Sequence, residues 1–259
     1  MKVLLVGCGK MGGALLTQWM RAVEDDFTIV DPFLEQPMEG ARLFKDVSAL
    51  GDETFDLLIV AIKPQMVDDI LPGYQNAMAE GGAIASIAAG CSVARLKAAL
   101  KGYPVIRIMP NLPSAIGEGV AGLYASPDAT PEQKAAVEVL MQAAGTAVWV
   151  DDEDKIDRVT AVAGSGPGYV FEIARAYIEA AKDLGFSDQQ AGDLVLGTLM
   201  GSVRMILETG DTPENLRNSV TSKNGTTEAG LKALNGDGKL SELLKATTEA
   251  AYKRAIELR

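Results

Sequence analysis

Residues 1–14, MKVLLVGCGKMGGA, decide the fold. A short apolar run, Lys2 to Val6, leads straight into Gly7-Cys8-Gly9-Lys10-Met11-Gly12, and a helical pattern of Ala14, Leu15, Trp19 and Met20 follows at once. Strand, glycine turn and helix in that order make a phosphate site, because unpaired N–H groups and the positive end of the helix dipole face the same point. Each glycine has a separate task. Gly7 permits the tight turn, Gly9 lets the backbone approach a dinucleotide's phosphates, and Gly12 lets helix and strand pack closely. The bare G-x-G-x-x-G pattern is common; its position between a strand and a helix gives it meaning. The candidate cofactor contacts here are Gly7, Cys8, Gly9, Lys10, Met11 and Gly12.

The same N-terminus has a rival reading. Met1-Lys2 and an apolar run ending in Leu5-Val6-Gly7-Cys8 resemble a bacterial lipoprotein signal, but such a signal needs an apolar stretch of about 7–15 residues, and this one covers only Val3 to Val6. No later segment reaches the roughly 18 uncharged apolar residues of a membrane span. The expectation is a cytoplasmic chain with no membrane association.

The chain has 259 residues, 47% of them hydrophobic, enough for one large or two modest cores. Its formal net charge of -11 disfavours a nucleic-acid partner, which would want the opposite sign. Cys8 and Cys91 are the only two cysteines, far apart, so neither a disulfide framework nor a metal site is expected. The chain holds no histidine. That removes the commonest general acid/base and the commonest metal ligand, and with them any Ser-His, Cys-His or His-Asp device.

Along the first half, strand-like runs at Lys2–Val6, Phe27–Val30, Leu57–Ala61, Ala83–Ile87, Val105–Ile108 and Ala147–Val150 alternate with helical patterns such as Ser92–Leu100 and Pro131–Ala143. Alternation of this kind predicts βαβ units and a mainly parallel sheet. The acidic run Asp151-Asp152-Glu153-Asp154 marks a change. Beyond it the strand signal nearly vanishes, and Gly168–Leu184, Asp188–Glu208, Pro213–Val220 and Leu240–Leu258 read as helices. The expected domains are therefore 1–151 and 152–259. The stretch Val195–Ile206 is apolar nearly all round, which predicts a helix covered on every side, in part by another subunit.

Asp31 closes the second strand, about 20 residues past the glycine turn, where an acidic side chain accepts hydrogen bonds from an adenosine ribose. It also begins an Asp-Pro turn, and that purely local role is an equal alternative. Ala61-Ile62-Lys63-Pro64 follows the third expected strand, at the end where open α/β sheets bind ligands, so these residues are candidate cofactor contacts. Ser48 is placed with them. Asn111 is a candidate for the nicotinamide pocket. Arg107 has two open readings, a substrate clamp or an arginine that ties a loop or an interface.

Further motifs are Arg107-Ile108-Met109-Pro110-Asn111-Leu112-Pro113; Gly164-Ser165-Gly166-Pro167-Gly168-Tyr169; and Thr221-Ser222-Lys223-Asn224-Gly225-Thr226-Thr227 with Ala229-Gly230-Leu231. With the glycine turn and Ala61–Gln65, these make the chain closely resemble the pyrroline-5-carboxylate reductase family, from the first strand to the C-terminal helices. The last motif is the most specific. The resemblance implies an α/β protein, with an N-terminal Rossmann-like doubly wound parallel sheet and an all-α C-terminal dimerisation domain that pairs two or more copies. It implies hydride transfer from NADH or NADPH, the preference being open, to 1-pyrroline-5-carboxylate, giving L-proline. It also implies a carboxylate held by Ser222, Gly225, Thr226 and Thr227, with Thr227 at the ring nitrogen and Ser222 and Thr227 as the catalytic pair.

The residues bear on this independently. Gly225 before Thr226-Thr227 makes an exposed helix N-terminus, an anion site by its free N–H groups. A protonated cyclic imine is already electrophilic, so a chain without histidine suffices for positioning it. The chain departs from the family in having Lys223-Asn224 where Pro-Gly is usual, and Gly168 where Ala is usual. Asn tolerates the left-handed conformation, so the loop is expected to keep its shape. The rival enzyme is another reductase of the same plan, a hydroxyacid dehydrogenase or a related imine reductase; the former needs a helix lysine, and no lysine follows Gly164 before Lys182. The other rival is a nucleotide-binding protein without catalysis, which would be free to lose the Ser222–Thr227 loop.

Overall fold

The fold is that of a computed structural model, which describes residues 1–258. The chain runs β1 (Lys2–Val6), α1 (Lys10–Ala22), β2 (Asp26–Val30), β3 (Ala41–Phe44), β4 (Phe55–Val60), α2 (Val67–Ile70), β5 (Met78–Ser86), α3 (Val93–Ala99), β6 (Val105–Met109), β7 (Gly119–Ala125), α4 (Pro131–Ala143) and β8 (Gly145–Trp149). After these come α5 (Asp154–Val159), a π-helical turn at Thr160–Gly164, α6 (Gly166–Asp183), α7 (Asp188–Thr209), α8 (Pro213–Ser219), α9 (Thr226–Asn235) and α10 (Lys239–Glu257). Two compact units result, one of Met1–Ser165 with the end of the chain from Ala251, the other of Gly166–Ala250.

The first unit is an eight-stranded sheet in the order β3-β2-β1-β4-β5-β6-β7-β8. All neighbouring pairs are parallel except β6 with β7. β1 is central, and Val3 to Val6 are all buried because both faces of the sheet are covered. Alternation sorts its side chains. Val3 and Leu5 join Leu15, Leu16 and Trp19 of α1 and Leu140 of α4. Leu4 and Val6 join Val67, Leu71, Leu96 and Leu100 on the other face. The chain reverses its winding at β1, which pairs β2 on one side and β4 on the other. The crevice beyond their carboxyl ends is where open sheets of this kind hold ligands.

The sequence pattern misses β3 and β7. β3 is a four-residue edge strand with a charged Arg42, too short to show alternation. β7 carries Gly122 in its middle, which reads as a break. The glycine is there because Val159 of α5 lies over it: a Cβ would stand 2.6 Å from Val159 Cγ1. α5 belongs with the first unit through this contact. It also belongs there through Tyr252 on the returning C-terminal helix, whose hydroxyl donates to Asp154 at 2.8 Å.

In the second unit α7 starts from a capping box at Ser187 and Gln190, and Gly210 ends it in the left-handed conformation. The expectation that this helix is covered on every side does not hold within one chain. Only Ala191 and Val195 are buried, while Leu194, Leu196, Met200, Val203 and Leu207 are each at least half exposed. An apolar surface of this extent needs a cover the chain does not itself supply. α6 carries Gly166 and Gly168 in its first turn, and a Cβ at Gly168 would meet nothing within 4 Å. Gly168→Ala is therefore expected to raise stability by about 0.5–1 kcal/mol through the lost flexibility of the unfolded chain. A shift in the denaturation midpoint checks this.

Candidate active site

The glycine turn is built by contact from β4. Gly7 has φ +87°, and a Cβ on it would stand 2.9 Å from Ile62 Cγ2 and 3.0 Å from the Ala61 carbonyl oxygen. Gly12 faces the Gly7 carbonyl oxygen at 3.0 Å and Ala61 Cβ at 3.1 Å. These two glycines are demanded by the fold. Gly9 is different: a Cβ there would meet nothing within 4 Å. It is the N-cap of α1 and offers no side-chain acceptor to the first N–H groups of that helix. Lys10, exposed, adds a positive charge at the same end. An open glycine, an uncapped helix N-terminus and a lysine together fit a dinucleotide's pyrophosphate. Cys8 is half-buried, and burial with the nearby Asp31 carboxylate pushes its thiol up, so it stays protonated and unreactive.

Asp31 makes the local turn, one of its two readings, and also holds the glycine turn. Its Oδ2 accepts from Cys8 N at 2.7 Å, joining β2 to the glycine turn, while Oδ1 accepts from Phe33 N at 2.8 Å and Leu34 N at 3.3 Å to close the turn after the strand. Ser48 is exposed on a 3-10 turn, Val47–Leu50, capped by Asp46, which accepts from Ser48 N at 2.8 Å. Ala61 N donates to Val6 O at 2.8 Å, so this segment stays in register with β1 as it leaves the sheet. Lys63 is exposed, and Pro64 begins a short turn whose carbonyl accepts from Arg95 at 2.9 Å. Arg95 in turn holds Asp68 at 2.7 Å. The sequence gives no sign that α3 pins this loop, since the pair is 27 residues apart.

In the second unit, Ser222 O accepts from Gly225 N at 3.0 Å, which closes a turn around Lys223 and Asn224. Asn224 takes φ 57°, the left-handed conformation expected of it, and its N–H donates to Glu228 at 2.6 Å. A Cβ at Gly225 would stand 2.4 Å from Ser222 Oγ and 3.0 Å from the Ser222 carbonyl oxygen. The hydroxyl thus lies against the N-cap of α9. Helices α4, α7 and α8 are capped by Thr130, Ser187 and Thr212, whereas α9 has no side-chain cap. The N–H groups of Thr226 and Thr227 and the Ser222 hydroxyl share one helix terminus, which suits a carboxylate.

The model of pyrroline-5-carboxylate reductase dimerisation matches residues 153–258. Among curated proteins, the pyrroline-5-carboxylate reductase of Pseudomonas aeruginosa is 35% identical, over 99% of this chain and 96% of that protein. The one from Methanosarcina acetivorans is 34% identical, over 99% of this chain and 97% of that one. The chain belongs to the pyrroline-5-carboxylate reductase family. A solved pyrroline-5-carboxylate reductase from Coxiella burnetii superposes with a TM-score of 0.92 at 31% identity, covering 99% of this chain and 97% of that one.

Two further residues of the reductase motifs are fully engaged by the protein. Asn111, 7% exposed, accepts from Val120 N at 2.8 Å and donates to the Ala163 carbonyl at 3.1 Å. Its amide ties the start of β7 to the π-helical turn. Arg107, 4% exposed, donates to Glu153 Oε1 at 2.8 Å and lies 3.9 Å from Asp157 Oδ1. Glu153 also accepts from Val93 N at 2.8 Å, so one carboxylate joins β6, α3 and α5. Of the two open readings of Arg107, the tying one describes this geometry, with α5 as the element tied. Asp157, 2% exposed, lies three residues past the acidic run Asp151–Asp154, and no sequence signal marks it as buried.

Proposed function

We infer that this chain is a pyrroline-5-carboxylate reductase: it reduces the C=N bond of 1-pyrroline-5-carboxylate with NAD(P)H and releases L-proline, the last step of proline synthesis. Kinship over nearly the full length carries this reading, with the glycine turn and the Ser222–Thr227 loop both present. The enzyme works as a homodimer or higher homo-oligomer through its C-terminal helices, in accord with the match to a dimerisation model and with the exposed apolar side chains of α7. Among the described residues no helix is long and apolar enough to cross a membrane. The reading places the enzyme in the cytoplasm, with its biosynthetic relatives.

The bound nicotinamide supplies the hydride. In this reading Gly7 to Gly12 hold the pyrophosphate on the first turn of α1, and Ala61 to Pro64 line the crevice beside it. Ser48 and Asn111 complete the proposed cofactor set, Asn111 through the wall it builds. Ser222, Gly225 and the N–H groups of Thr226 and Thr227 hold the substrate carboxylate, in keeping with the uncapped start of α9. Thr227 orients the ring nitrogen. Alignment is the main task, because the iminium carbon needs no further activation.

Gly9→Ala separates ligand binding from folding. The open space around Gly9 predicts unchanged thermal unfolding and at least about tenfold weaker nucleotide binding, as phosphates meet a methyl group. Gly7→Ala is expected to lose about 1–3 kcal/mol, since a side chain there is strained at φ +87°. The function itself is tested with a substrate panel of pyrroline-5-carboxylate, its six-membered homologue and several 2- and 3-hydroxyacids. Turnover of the imines alone is the expected result; oxidation of a hydroxyacid without imine reduction overturns the reading.

A further inference from the structure

We propose that Asp31 makes this enzyme select NADH over NADPH, an inference that rests on the reductase reading above. The carboxylate stands at the carboxyl end of β2, with its own N–H donating to Phe44 O at 3.1 Å. It is fixed there by three backbone donors, Cys8 N at 2.7 Å, Phe33 N at 2.8 Å and Leu34 N at 3.3 Å. The Cys8 link sets it one residue from Gly9, whose open face receives the pyrophosphate, and the adenosine half of a dinucleotide reaches from there to the end of β2. A carboxylate accepts about four hydrogen bonds and three are taken, so one lone pair remains for the ribose 2′-hydroxyl. A 2′-phosphate brings acceptors and like charge to the same point, where it is repelled.

The surroundings supply no compensation. Residues 32–40, PFLEQPMEG, contain no Lys or Arg and add Glu35 and Glu39. Lys45, just past β3, reaches this segment, but its ammonium is bound to the Leu34 carbonyl oxygen. Turning Asp31 away from a phosphate would break its bonds to the glycine turn and to the turn after β2 together. The carboxylate is therefore a built-in discriminator and not a side chain free to move aside.

Binding of each nucleotide to the intact wild-type protein, measured without imine by nicotinamide fluorescence, tests this. The expected dissociation constant for NADH is at least about tenfold below that for NADPH, or about 1.4 kcal/mol. Asp31→Asn keeps the turn acceptor and removes the charge, and Asp31→Ser also shortens the side chain; both are expected to bring the ratio to about one, mainly by tightening NADPH. Equal or tighter binding of NADPH by the wild type overturns the proposal and leaves the reductase reading standing. A preference for NADH that survives in both Asp31 variants assigns it elsewhere and also overturns the proposal. Failure to bind either nucleotide overturns the proposal and the reductase reading together.

Discussion

Arg107→Ala is expected to lower the unfolding free energy by roughly 3 kcal/mol, at the lower end for a broken buried ion pair because Glu153 is partly exposed. The guanidinium is the hub between β6 and α5. Its loss strips the Glu153 carboxylate of its closest cation and leaves the carboxylate of Asp157, 2% exposed, without the charge that faces it. The cost comes from removing the cation that faces two carboxylates, so Asp157→Asn in the same background is expected to recover part of it. Denaturant midpoints of the three proteins at one concentration check this. A loss under about 1 kcal/mol, with no recovery in the double variant, would return Arg107 to the substrate-clamp reading.

Ser222→Ala and Thr227→Ala are expected to lower kcat/KM about 10- to 100-fold each, the worth of a hydrogen bond to a charged group. The two differ in how the loss divides. Ser222 lies against the N-cap of α9; in the proposed site it serves the carboxylate, which is equally charged before and during reduction, so its loss is expected in KM. In the proposed site Thr227 orients the reacting nitrogen, so its loss is expected in kcat. Both side chains are at least partly exposed, and unfolding midpoints should stay within about 0.5 kcal/mol of wild type. Unaltered kinetics in both variants would falsify the site assignment.

The core of the first unit was legible because its strands are buried on both faces and read as continuous apolar runs, as at Val3–Val6 and Leu57–Val60. β7 was illegible for a physical reason: the close approach of Val159 forces a glycine into the strand, and the contact that explains it comes from 37 residues later. The helices after residue 165 were legible from their caps, Ser187 above all. The environment of α7 was not, because its pattern records burial in an assembly and the single chain leaves Met200 and Val203 in the open. At the site, the demand for glycine at positions 7 and 12 follows from the motif, but the pinning of Asp31 by Cys8 N does not. Nor does the sequence alone choose between clamp and tie for Arg107, since either role wants the same cation; its burial beside Asp157 favours the tie.

A histidine-free chain is expected to reduce a cyclic imine by alignment alone. Incubating the wild-type enzyme with 1-pyrroline-5-carboxylate and each reduced nicotinamide, and measuring nucleotide oxidised against L-proline formed, tests it most directly. The expected result is one proline for each nucleotide oxidised, with NADH the better donor. Tight nucleotide binding with no proline formed from either donor would contradict it.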